Sequence, residues 1–284
     1  MLLKLRNFHF DLDERALVMG ILNRTRDSFF DHGEYFELDA FLRRAEQMVS
    51  EGANILDVGG VKAGPGPEIS EAEELDRVIP AVELLRDRFD IALSVDTWNA
   101  RVIDEAMKAG AALGNDISGF ASPGYLENVA KYGGAVVATH IRLVPRLDDP
   151  NPVYDDLKGE VRQFLSARID RALAAGIGRE SILVDAGFDL GKTTAQSLEL
   201  LLSTQELGQL GYPVFISASN KGFVGEVLGK AVSERRMGSL SAAAIGAVKG
   251  AKVFRVHDVA GTRQVVDVIS AIIAGYPPRW VLEN

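Results

Sequence analysis

Apolar residues along this chain fall into short β-rich runs separated by longer stretches in which they recur at helical spacing. Runs of the first kind are ALVMGI (16–21), NILDVG (54–59), IALSVD (91–96), AALGND (111–116), AVVATH (135–140), SILVDAG (181–187), PVFISAS (213–219) and VFRVHDV (253–259). Between them, Phe41, Ala45, Met48 and Val49 fall on one helical face, as do Leu75, Val78, Val82 and Leu85, and later Phe164, Leu165, Ile169 and Leu173. Glycine precedes six of the runs, at Gly52, Gly110, Gly133, Gly176, Gly211 and Gly250. This is the helix-stop chemistry of an αβ loop, where the left-handed conformation is inexpensive only for glycine. Eight βα units in about 250 residues predict a TIM (β/α)8 barrel. The expected domain spans residues 1–284, with a doubly wound open sheet as the competing arrangement.

Composition narrows the setting. With 284 residues and 47% hydrophobic content, the chain can bury a large core. A net charge of -9 argues against general nucleic-acid binding, which calls for a basic surface. The absence of cysteine excludes a disulfide, a thiolate nucleophile and Cys-bound zinc, and agrees with a cytoplasmic location. Lys4, Arg6, Asp11, Asp13 and Glu14 interrupt any signal-peptide core. No apolar run approaches the roughly 20 residues that a membrane span needs. A soluble protein without a membrane partner is expected.

Polar residues collect where the strands should end: Asn23, Asp57, Asp96, Asn115, His140, Asp185, Ser217, Ser219, Arg255 and His257. A single Asp57 or Ser118 reads equally well as a helix N-cap. A barrel, however, gathers all eight strand ends into one ring. Unpaired buried polar groups cost roughly 1–3 kcal/mol each, so such a ring calls for a polar ligand. Asp96, Asn115 and Asp185 offer acceptors for a flat, N–H-rich heterocycle, since carboxylates read paired N–H groups bidentately. Arg255 and His257 are separated by one residue and should face the same side of their strand, where an arginine suits an oxyanion. Lys221 can serve either chemistry.

Two further patterns carry less. Gly187 to Thr193 ends in GKT but is one residue short of a P-loop. The acidic run 68–76 reads as a solvated helix start rather than a metal site. The stretch 143–152, with three prolines and two aspartates, reads as a βα-loop.

Taken in order, the motifs resemble dihydropteroate synthase over nearly the whole chain. They are MGILN-x-T-x-DSF (19–29), NILDVGG (54–60), SVDT (94–97) and NDISG (115–119). Thr139-His140, D-x-G (185–187), GKT (191–193), S-x-K (219–221) and RVHDV (255–259) follow. Pterin-binding methyltransferases share the fold, but RVHDV and the first loop favour the synthase. That family joins hydroxymethyl-dihydropterin pyrophosphate to p-aminobenzoate and releases pyrophosphate with magnesium assistance. The resemblance implies that Asp96, Asn115, Asp185 and Lys221 hold the pterin. Asn23, Arg255 and His257 would hold Mg2+ and pyrophosphate, with Asn23 as the metal ligand. It also implies a homodimer, and ligands of the p-aminobenzoate, sulfonamide or sulfone type.

The departures from the family pattern cluster in the loops. Residues 59–66 read GGVKAGPG in place of GGESTRPG, so Lys62 and Ala63 lack the hydroxyls and Gly64 replaces the arginine. In the first loop, Arg24 and Arg26 stand for the valine and proline of NVTPDSF. SRKS becomes Ser219-Asn220-Lys221-Gly222, losing the last hydroxyl. In DPGIGFGKT, the positions of proline, glycine and phenylalanine hold Ala186, Asp189 and Leu190. Asp189 would repel an anion if it faces inward. Charge-assisted hydrogen bonds are worth about 1.5–3 kcal/mol each, so losing two or three removes roughly 3–8 kcal/mol of transition-state binding. Arg24, Arg26 and Lys62 meanwhile add cations. The reading that follows is a divergent homologue with a retained pterin floor and lost or strongly reduced synthase activity. The alternatives are an active synthase with a rebuilt, sulfonamide-tolerant acceptor site, or a non-catalytic pterin or anion binder.

Overall fold

The computed structural model describes residues 1–23, 34–61, 64 and 68–275. All eight strands expected from the apolar runs are present. They are β3 (Leu17–Asn23), β4 (Ile55–Gly59), β5 (Ala92–Asp96), β6 (Leu113–Asp116), β7 (Ala135–Thr139), β8 (Ile182–Asp185), β9 (Val214–Ile216) and β10 (Val253–Val256). They are parallel and close into a barrel in the order β10-β3-β4-β5-β6-β7-β8-β9. The open sheet is thereby excluded.

Period-two alternation separates the side chains of each strand into two rows. Val18, Leu56, Val58, Leu93, Val95, Val184 and Phe254 belong to the outer core. There they meet the helices α1 (Glu34–Ser50), α2 (Glu71–Arg88), α3 (Ala100–Ala109), α4 (Tyr125–Lys131), α5 (Leu157–Ala174) and α6 (Thr194–Leu202). The outer layer is completed by α7 (Thr204–Gly208), α8 (Gly222–Leu228), α9 (Arg236–Val248) and α10 (Val259–Ala274). The other row points into the barrel and is apolar at its lower end, where Met19, Ile55, Leu113, Leu183 and Val253 meet. Higher up, the same row becomes Asn23, Asp57, Asp96, Asn115, Asp185 and Arg255. The barrel is therefore apolar below and polar at the C-terminal mouth.

The lower end is closed by a feature the sequence pattern did not reveal. Strands β1 (Leu2–Leu5) and β2 (Phe8–Asp11) form an antiparallel hairpin. Its Leu3 and Leu5, with Leu12 beyond it, are buried against the inner apolar row. Arg6 fastens the hairpin by donating to the carbonyls of Met107 and Ala111, at 2.8 Å each.

The six glycines expected at helix stops all have positive φ, from 64° at Gly133 to 113° at Gly110. Segment 143–152 is the βα-loop between β7 and α5, as expected. The acidic run needs a correction at one residue. Ser70 caps α2 through Glu73, and most of the run is exposed or half-buried, but Glu74 is buried. Its Oε1 accepts from Thr97 Oγ1 at 2.6 Å, and burial raises its pKa. None of the described helices is long and apolar enough to cross a membrane.

Candidate active site

The polar ring lies where the sequence placed it, at the C-terminal ends of the barrel strands. Asp57 is fully buried on β4 and is held by three donors. Ser94 Oγ donates to it at 2.5 Å, Arg255 Nε at 2.6 Å and Asn115 Nδ2 at 3.3 Å. Arg255 also donates through Nη2 to Asp96 Oδ2 at 2.6 Å. One guanidinium thus bridges the carboxylates of β4 and β5 from β10, two and three strands away around the barrel. Although burial opposes its charge, Asp57 and Asp96 keep the Arg255 pKa above its usual value. Burial pushes Asp96 up to about 7, with Arg255 opposing and Asp57 adding to the rise.

The sequence set Arg255 apart from the carboxylates as an anion-binding residue; in the structure its guanidinium bonds to both Asp57 and Asp96. Ser94 was not singled out by sequence reasoning. Its position two residues before Asp96 on the same inward row was the available signal.

On the opposite side, burial raises the Asp185 pKa, while Oδ1 accepts from Gly187 N at 2.8 Å. Gly187 itself has φ +68°, and a Cβ there would lie 1.9 Å from the His140 carbonyl oxygen, so only glycine fits this turn. Lys192 stitches the same turn. Its ammonium donates to the Gly187 and Leu190 carbonyls at 2.9 and 3.1 Å and lies 2.8 Å from His140 Nδ1. Burial lowers Lys192 to about 7 and His140 to about 3, so this histidine is neutral and accepts from the lysine. The GKT segment therefore clamps a loop, and Thr193 caps α6 with a full capping box. Next to Asp185 in the β7–β8 register, the buried Thr139 hydroxyl has no hydrogen-bond partner among the described residues.

Lys221 stands just before α8 and faces Asp189, Asp185 and Asp96, with burial lowering its pKa. Asp189 adopts φ 65° and turns its carboxylate onto the start of α8. Oδ2 accepts from Gly222 N at 2.5 Å, and Oδ1 from Phe223 N at 3.3 Å. Leu190 and Gly64 line the cleft alongside Lys221.

The rim holds the remaining expected residues. Asn23 Oδ1 lies 2.8 Å from where a Cβ on Gly59 would sit, with the Asp96 Cβ 3.5 Å from the same point. Glycine at 59 is what lets Asn23 lean over β4 towards β5. His257 follows the end of β10, with Nδ1 3.0 Å from Ser219 Oγ, and its carbonyl accepts from Arg44 Nη2 at 2.8 Å. Its ring is exposed, and desolvation at the rim with the nearby cations Arg255, Arg44 and Lys221 lowers its pKa. Arg24 and Arg26 of the first loop, and Lys62 and Ala63 of the second, lie outside the described residues. Among the described residues, no group of three or more His, Asp or Glu is arranged to hold a metal ion.

Residues 19–257 match the pterin binding enzyme family. The chain is 43% identical to dihydropteroate synthase of Haemophilus influenzae over 255 residues, covering 89% of this chain and 93% of that one. It is 42% identical to the inactive dihydropteroate synthase 2 of Mycobacterium leprae over 275 residues, covering 93% of each. Its fold superposes on Yersinia pestis dihydropteroate synthase in complex with a sulfonamide drug at a TM-score of 0.90. That match has 43% identity and covers 96% of this chain and 99% of the other.

Proposed function

The chain belongs to the dihydropteroate synthase family, and from that premise we propose that it is a divergent homologue. In this reading it keeps the pterin floor and has lost most or all synthase activity towards p-aminobenzoate. The observation that carries the first half is the convergence of Asp96, Asn115, Asp185 and Lys221 at one barrel mouth. Two carboxylates with raised pKa values, an amide, an ammonium and the unpartnered Thr139 hydroxyl match the donors and acceptors of a flat pterin. Buried polar groups of this kind are expensive to maintain without a ligand.

The second half rests on the acceptor side. In the family reaction the aromatic amine attacks the pterin methylene carbon and a C–N bond forms. The C–O bond to pyrophosphate breaks, pyrophosphate leaves with the electron pair, and the amine gives up a proton. Little proton-transfer machinery is needed; the enzyme must grip the leaving group and position the amine. Arg255 is already shared between Asp57 and Asp96, so it meets an anion less freely than the sequence suggests. At the acceptor end, Gly222 offers no hydroxyl and its N–H is taken by Asp189.

Mg2+ fits the donor set in a limited sense. This ion commonly takes one or two protein oxygens and draws the rest from phosphates and water. The Asn23 side-chain oxygen would hold it, and the bound ion would neutralise charge on the departing pyrophosphate. A homodimer is part of the same proposal. Met237, Ile245 and Val248 on α9 and Val268, Ile272 and Ile273 on the adjacent α10 form an exposed apolar face. Sedimentation of the purified chain tests this part, with twice the 30.7 kDa chain mass expected.

Binding of a pterin to the wild-type chain and to Asp185→Asn tests the floor. Calorimetry should show binding to the former and a loss of about tenfold or more in the latter. Absence of binding to the wild type contradicts the proposal.

A further inference from the structure

Beside the pterin floor lies a cleft of about 490 Å³, bounded by the loop after β7, the loop after β8 and Lys221. Its apolar wall is formed by Ile141, Leu143, Val144, Leu147 and Leu190. Val144 and Leu147 are 55% and 59% exposed, so the outer lip is apolar yet open to solvent. At the inner end stand Lys221 and Asp189. Asp189, Asp185 and Asp96 act on the Lys221 charge from a distance. Lys192 is enclosed by His140 Nδ1 and two loop carbonyls.

The carboxylate of Asp189 is the decisive feature. It accepts from Gly222 N and Phe223 N, which fixes the Asp189 carboxylate against the start of α8 at the wall of the cleft. A ligand carboxylate arriving here would meet that like charge. A neutral group with N–H donors would meet an acceptor. The apolar wall favours a ring over a charged or strongly hydrated chain.

We propose that Asp189 is a specificity-determining residue, an internal carboxylate that turns this cleft from an aminobenzoate site into one for an uncharged arylamine. The inference rests on the pterin-floor reading, because the cleft opens beside that floor and its occupant would be the second substrate. It goes further in assigning the chemical class of that substrate and the residue that selects it.

Two matched probes test it: p-aminobenzamide, which keeps the ring and amine but is neutral and carries N–H donors, and p-aminobenzoate. Their affinities are measured by calorimetry on the wild-type chain, on Asp189→Asn and on Asp189→Gly. Both variants suit the backbone, since φ at residue 189 is 65°, where glycine and asparagine are at ease. In the wild type the benzamide should bind at least tenfold tighter than the benzoate. Asp189→Asn should shrink that ratio, and Asp189→Gly should raise benzoate affinity by tenfold or more. A wild-type preference for benzoate, or one ratio shared by all three proteins, overturns the inference. Pterin binding is measured in parallel. If pterin binds while neither probe does in any variant, the inference about Asp189 fails and the pterin floor stands. If pterin does not bind, the floor reading itself fails.

Discussion

Asp189 Oδ2 accepts a hydrogen bond from the Gly222 backbone N–H at 2.5 Å, across 33 residues of chain. The two positions are also sterically coupled, because a Cβ on Gly222 would lie 3.2 Å from the same oxygen. Two separate departures from the family pattern therefore form one unit in space. Gly222→Ser alone would place a hydroxyl beside an existing carboxylate and should leave p-aminobenzoate affinity within about threefold of wild type, well short of a tenfold step of 1.4 kcal/mol. Combined with Asp189→Gly it should raise that affinity by more than the two single changes together. A double-mutant cycle on the dissociation constant checks this, with a coupling above about 0.5 kcal/mol expected.

The bridge from Arg255 to Asp57 and Asp96 sets a second expectation. Arg255→Ala leaves two buried carboxylates without their shared cation, a change that typically costs about 3–5 kcal/mol. Urea denaturation should show a loss of this order at pH 8. The loss should be smaller at pH 5, where protonation of Asp96 relieves part of the repulsion.

Asp96 also gives a pH dependence with a definite sign. Its pKa is raised in the folded chain from 3.8 to about 7. The folded state therefore holds this proton over a range where the unfolded chain has released it. The associated stability is fully present below about pH 4 and is lost as pH rises through about 7. Between pH 5 and 8 the wild type should lose stability relative to Asp96→Asn. Pterin affinity should move the other way, increasing through pH 7 as the carboxylate that accepts ring N–H groups becomes ionised. Calorimetric titrations at several pH values on both proteins check the two trends together.

The barrel and the polar mouth were legible because both follow from period-two alternation within single strands. An inward row that begins with Met19 must continue with Ile21 and Asn23, and one that reaches Asp96 must include Ser94. The bonds that define the site were not legible, because they join distant strands. Nothing local indicates that Arg255 reaches Asp57 and Asp96, or that Asp189 caps α8. Glu74 escaped for a related reason: its partner Thr97 lies on the loop after the next strand. The N-terminal hairpin was missed because two four-residue strands give too little alternation to stand out.

That hairpin supports a further prediction. Leu5, on β1, is fully buried against the inner apolar row. Leu5→Ala should destabilise the chain by about 2–5 kcal/mol, the usual range for a buried leucine. Pterin affinity under native conditions should be unchanged, since the plug and the floor lie at opposite ends of the barrel. Denaturant melts and pterin calorimetry on the same preparation separate the two effects.

The proposed function joins a retained pterin floor to an impaired acceptor side. Its most direct test is dihydropteroate formation by the purified chain with hydroxymethyl-dihydropterin pyrophosphate, p-aminobenzoate and Mg2+, with pterin binding measured on the same sample. The prediction is that pterin binds while dihydropteroate formation is absent or at least a hundredfold below the common enzyme range of about 1–10³ per second. Turnover within that range on p-aminobenzoate would contradict the proposed loss of synthase activity.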